Sequence, residues 1–259
     1  MKIRIDTPYA LNKIGRRLRQ EDSIMPEVGD NIINEKCFVL CDGMGGHGHG
    51  DVAGKLVSTM FYNAVTDAEN ADKSPELVIA NGVKCAYEAL DDKARDRDYE
   101  KMGTTLAALY LSDCEYYAIH IGDSRIYHFR PSLYTPENPS KSIMYKSWDH
   151  SLVNLMVKIG EISEEEAAIH PKRNVLIKAM QPNMGDSQCS ADIHHSADVM
   201  AGDYFFLSSD GVTGCINDDS LCSIFANKEL SDTEKIAMID SRCEENSNDN
   251  YSCWLIPVI

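Results

Sequence analysis

The segment FVLCDGMGGH at 38–47 runs four apolar residues directly into an acid, Asp42, and then into a glycine-rich stretch. An apolar run this short, closed by Asp-Gly, reads as a buried strand whose end hands a carboxylate to a turn. Beyond it, Ala53, Leu56, Val57, Met60, Phe61, Ala64 and Val65 recur at helical spacing, which predicts strand, loop and amphipathic helix in succession. Asp123 follows YAIHIG at 117–122, and Asp210 follows YFFLSS at 204–209. Asp249 stands just before the closing run WLIPVI at 254–259. Four aspartates thus occupy equivalent places at the ends of apolar runs.

The rest of the chain fits a layered arrangement. Ser74 and Pro75 form a good helix start, with Ile79, Val83, Ala86, Tyr87 and Leu90 on one face. Short strand-like runs follow at 106–111, 116–121 and 126–129, separated by turn residues close enough to make antiparallel hairpins. The stretch 131–142, rich in Pro, Ser and Asn, reads as a surface loop. An apolar helical run at 151–159 precedes a capping box at 163–166, and a second capping box at 231–234 opens a late helix. Helix pairs alternating with groups of short strands imply an α+β domain with the helices outside. With no Pro/Ser/Gly-rich or low-complexity divider, 1–259 is expected to be one domain.

Charge and cysteine usage narrow the functional classes. Twenty-five Lys and Arg against 41 Asp and Glu leave a net charge of -16, which disfavours nucleic acid and anionic membrane as partners. The nine cysteines are scattered without a C-x-x-C pair, so reduced thiols and a cytoplasmic location are expected. The opening residues MKIRID lack the apolar core of a signal peptide, and no apolar run approaches membrane-spanning length.

Carboxylates at strand ends are hard oxygen donors, which suit Mg²⁺ or Mn²⁺. In a two-metal site Asp42 can bridge while Gly43, lacking a side chain, offers its carbonyl; an isolated Asp-Gly is equally a tight turn. Asp210-Gly211 repeats the pair after another apolar run. Arg17 lies close to Glu21 and Asp22, joining a two-point phosphate fork to acids able to hold water, although a solvated charge run reads the same way. His47 and His49 make an H-x-H pair without a third nitrogen or thiolate nearby, which argues against zinc. Ser208, Ser209 and Cys41 have no base arranged around them and read as packing or capping residues, not nucleophiles.

In order, RLRQED at 17–22, CDGMGGHG at 41–48, MGTT at 102–105, IGDSR at 121–125, DHSLV at 149–153, HPKRNVL at 170–176, LSSDGV at 207–212 and NDNYS at 248–252 span nearly the whole chain. Together they resemble the metal-dependent Ser/Thr protein phosphatases, the type 2C or PPM family, in its bacterial style. The resemblance implies a four-layer α-β-β-α sandwich with a central antiparallel β-sandwich flanked by helix pairs. It implies two core Mn²⁺ or Mg²⁺ ions held by Asp42, the Gly43 carbonyl, Asp210 and Asp249, and Asp123 at a third, weaker ion. Arg17 matches the phosphate-binding arginine, and Glu21 and Asp22 match acids that position water. The implied activity is hydrolysis of phosphoserine and phosphothreonine in proteins by a metal-activated water, opposite a Ser/Thr kinase. A silent, binding-only relative would be marked by loss of a metal aspartate, and all are present. Met44 stands where animal enzymes have a histidine, so the proton donor is unassigned. The 131–146 loop and the MQPN turn at 180–183 depart from the family pattern beside the substrate flap expected near 157–168.

Overall fold

In a computed structural model of the chain, residues 2–29, 35–44, 49–70, 72–185 and 189–259 are described. Their strands form two antiparallel sheets. One contains, in spatial order, β1 (Tyr9–Lys13), β11 (Tyr251–Pro257), β10 (Tyr204–Ser208), β7 (Arg125–Phe129) and β8 (Ile143–Lys146). The other contains β2 (Asp22–Met25), β3 (Cys37–Met44), β5 (Leu106–Leu111), β6 (Tyr116–Ile121) and β9 (Asp192–Ser196), with the two-residue β4 (Gly103–Thr104) paired to the end of β3.

Side-chain alternation builds three apolar layers from these two sheets. On β3, Phe38 and Leu40 point between the sheets, where they meet Leu109, Phe205, Leu207, Trp254 and Ile256. The intervening Cys37, Val39 and Cys41 point outward to Phe61 of α1 (Gly50–Thr66) and to Ile79 and Leu90 of α2 (Pro75–Lys93). On the far side, Phe206, Cys253 and Leu255 pack against Val212 of α5 (Asp210–Thr213), Phe225 of α6 (Asp218–Ala226) and Ile239 of α7 (Asp232–Asn246). The result is the expected helix, sheet, sheet, helix sandwich. Burial of both faces explains why the central strands read as unbroken apolar runs.

Both predicted capping boxes are present. Ser163 opens α4 (Glu164–Ile169), which follows the short α3 (Leu152–Lys158), and Ser231 opens α7. The 131–142 stretch is more ordered than a surface loop, since Pro131–Leu133 and Pro139–Ser142 form 3-10 turns, with Ser142 buried. Among the described residues no helix is long and apolar enough to cross a membrane.

Candidate metal centre

At one end of the sandwich a cavity of about 570 Å³ is lined by Arg17, Glu21, Asp42, Gly43, Asp123, Asp210 and Asp249. Seven of the eight predicted site residues are therefore brought together. Asp22 is not on that wall. It is the cross-strand partner of Asp42, is buried, and accepts a hydrogen bond from Ser209 Oγ at 3.0 Å.

The local structure differs from the expected turns. Asp42 and Gly43 lie within β3, which continues through Met44, and Asp210 is the first residue of α5. Neither glycine is required by a left-handed backbone. A Cβ on Gly43 would lie 2.0 Å from the Gly50 carbonyl oxygen, and one on Gly211 would lie 1.9 Å from that of Asn250. Glycine is needed at both places for close backbone approach, which draws α1 onto β3 and the residue after Asp249 onto α5. Gly211→Ala should accordingly destabilise the protein by about 3 kcal/mol, because backbone, unlike a flexible side chain, cannot yield. A urea unfolding midpoint equal to that of the parent would contradict this packing argument.

Hydrogen bonds hold Asp42, Glu21 and Asp249 in place. The Asp42 carbonyl accepts from Thr104 Oγ1 and from the Thr105 N–H, each at 2.9 Å, and the Asp42 N–H donates to Thr105 Oγ1 at 2.9 Å. Asn250 clips the amino-terminal motif to the last strand. Its amide donates to the carbonyls of Ile14 and Arg19 at 2.8 and 2.9 Å, while its oxygen accepts the Glu21 N–H at 2.9 Å. Arg17 Nη2 lies 2.5 Å from Asp249 Oδ2. These supports explain Thr104 and Thr105 of the MGTT motif and Asn250 of NDNYS, to which the sequence reading assigns no chemistry. Arg125, by contrast, faces Asp149 with a two-point fork at 2.7 to 3.1 Å and ties β7 to the start of α3.

The electrostatics favour a bound cation. Burial first, and then the charges of Asp22, Asp210, Asp123 and Asp249, hold the Asp42 carboxyl well above the usual carboxylate range. Asp210 is raised by burial and by Asp249, and its side chain lies within hydrogen-bonding reach of Asp42. Burial and Asp210 push Asp123 up to about 7, and burial with Asp210 and Asp249 does the same to Asp22. Asp22 Oδ1 is also buried without a hydrogen-bond partner. Carboxylates this close and this desolvated repel unless protons or cations intervene, and the donors are all oxygen, which fits Mg²⁺ or Mn²⁺. No three His, Cys, Asp or Glu side chains among the described residues close on one point as a metal cage. A site completed by a backbone carbonyl and water needs no such cage.

Of the H-x-H pair, His47 lies outside the described residues, and the His49 ring packs against that of Tyr99 with centroids 4.6 Å apart. Cys41 is fully buried with its thiol held well above its ordinary pKa by burial, and Ser208 is fully buried as well. Neither is a nucleophile.

The comparisons with known proteins agree with this architecture. The protein phosphatase 2C family model matches residues 14–255. A putative protein phosphatase 2C-type of Streptococcus pyogenes is 30% identical over 235 residues, covering 88% of this chain and 87% of its own. The serine/threonine phosphatase PstP/Ppp of Mycobacterium tuberculosis has the same fold, with a TM-score of 0.80 at 24% identity over 99% of both chains. A PstP catalytic domain in complex with two manganese ions gives 0.75 at 23% identity over 98% of this chain and 99% of its own. The chain belongs to the protein phosphatase 2C family. It is a phosphatase of that type, in agreement with the resemblance carried by its motifs.

Proposed function

We propose that this phosphatase removes phosphate from phosphoserine and phosphothreonine in proteins at the acidic cavity, and that 1–259 act as one domain. The observation that carries the reading is the convergence of Asp42, Asp123, Asp210 and Asp249 with one guanidinium, Arg17, on a single cavity. Asp42, the Gly43 carbonyl, Asp210 and Asp249 are the groups that would hold two Mn²⁺ or Mg²⁺ ions, with Asp123 at a third; the related PstP domain was solved with two manganese ions. Such ions, when bound, neutralise phosphoryl oxygens and lower the pKa of water.

The chain's own residues supply position. Arg17 sits at the cavity with its side chain half exposed, so its fork engages the phosphoryl group for in-line displacement. Glu21 lines the same wall and orients water, while Asp22 acts from behind Asp42 through the buried carboxylate cluster. Met44, which also lines the cavity, offers no proton. We place the enzyme in the cytoplasm opposite a Ser/Thr kinase, a setting that suits nine free cysteines. Steady-state release of phosphate from a phosphothreonine peptide in Mn²⁺ tests the reading. Hydrolysis of nucleotides with the peptide left intact would replace it with a small-molecule phosphatase.

A further inference from the structure

A second cavity, of about 500 Å³, adjoins the acidic one, and the two share Asp123, Asn174 and Asp210 in their walls. Its apolar lining comes from Trp148, from Val153 and Val157 of α3, and from Ala167 of α4. Trp148 is 49% exposed, an unusual state for a residue that buries so much apolar surface when it packs. The neighbourhood shares this character. Six of the fourteen large apolar side chains exposed among the described residues, namely Trp148, Leu155, Ile159, Ile169, Val175 and Ile177, fall within 148–177.

The charges on this wall are largely committed. Arg125 is held by Asp149, and Lys146 Nζ reaches Asp218 at 2.7 Å. Arg173 and Glu164 contribute one charge of each sign, and the shared Asp123 and Asp210 are acidic. With Asp123 and Asp210 engaged by ions in the loaded enzyme, Arg173 and Glu164 leave this wall without a net charge to attract an acidic side chain, on a chain whose net charge is -16. An apolar one would cover Trp148 and the half-buried Val157 and remove them from water.

We propose that this cavity is a specificity subsite that takes an apolar side chain one or two residues from the phosphorylated Ser or Thr. The proposal rests on the phosphatase reading above. The shared wall points to the occupant: with the phosphoryl group in the acidic cavity, the neighbouring residues of the same peptide, 3.8 Å apart along the chain, are those close enough to enter the second. Trp148 is the main contact and acts on substrate choice.

The test uses the 259-residue chain in Mn²⁺ and phosphothreonine peptides that carry Leu, Phe, Ala or Asp at each of the two positions on either side. At one flanking position kcat/KM for Leu or Phe should exceed that for Asp by about tenfold or more. Trp148→Ala should reduce that ratio to about threefold or less. A second readout does not depend on a variant. Because Trp254 is 1% exposed and Trp148 is 49%, a phosphonate analogue of the preferred peptide should shift tryptophan emission to the blue through Trp148. Equal kcat/KM across a hydrolysed peptide set, an unaltered ratio in Trp148→Ala, or emission that does not respond to the analogue would overturn the subsite. Failure to hydrolyse any phosphopeptide, with p-nitrophenyl phosphate also untouched, would instead overturn the phosphatase reading and the subsite with it.

Discussion

Asp42→Asn should lower turnover of a phosphothreonine peptide by about a thousandfold or more, equivalent to about 4 kcal/mol of barrier, while leaving the fold intact. The amide is nearly isosteric, and the hydrogen bonds exchanged with Thr104 and Thr105 involve backbone atoms of residue 42, so they survive the change. What is lost is the charge that the site holds at the cost of burial. A carboxyl whose pKa rises on folding reduces stability at all pH values above its unfolded pKa of about 4, since the folded state must then either take up a proton or carry an unfavourable charge. Asp42 is raised in this way by burial and by four neighbouring aspartates. The metal-free variant should therefore melt higher than the metal-free parent at neutral pH, by about 2 to 4 °C for each kcal/mol relieved. Retained Mn²⁺-dependent turnover, or a lower melting temperature, would contradict the account of this residue.

Arg17→Ala should lower kcat/KM by about ten- to a hundredfold, the effect of losing one charge-assisted contact of about 1.5 to 3 kcal/mol to the phosphoryl group. Its ion pair with Asp249 adds a second expectation. Removing a cation from beside a carboxylate proposed to hold metal should leave Mn²⁺ affinity unchanged or tighten it, so kinetics and metal binding should move apart. Arg17→Lys should recover part of the loss, because an ammonium cannot reproduce the two-point fork. Unchanged kinetics would make the Asp249 pair a surface ion pair with no part in catalysis. A loss of metal affinity matching the loss of turnover would make Arg17 an organiser of the acidic centre.

The features legible from sequence are those in which burial leaves a pattern. Both faces of β5, β6, β10 and β11 are covered, so these strands appear as short apolar runs. β1 at a sheet edge, Tyr9–Lys13, and the four-residue β2 carry too few apolar residues to show the same signal. The site aspartates stand out because each interrupts or borders an apolar run. The residues that hold them do not: Asn250, Thr104, Thr105 and Ser209 act through backbone hydrogen bonds or a single hydroxyl, and such residues read as ordinary turn formers. Adjacency in sequence groups Asp22 with Glu21, yet pairing of β2 with β3 buries it opposite Asp42, and of the two only Glu21 reaches the metal-centre cavity. The Asp-Gly pairs are legible as acids at the ends of apolar runs, but the reason for their glycines is not, since a close approach across the fold leaves no trace in local spacing.

The central claim is that the clustered aspartates hold divalent ions on which turnover depends. The measurement that addresses it most directly is a calorimetric Mn²⁺ titration of the chelator-treated chain, with phosphate release from a phosphothreonine peptide followed in parallel. Turnover should be absent at the start and rise as two ions bind per chain, whereas alkylation of the exposed Cys114 should leave it unaffected. Full turnover by the chelated protein, before any ion is added, would contradict the claim.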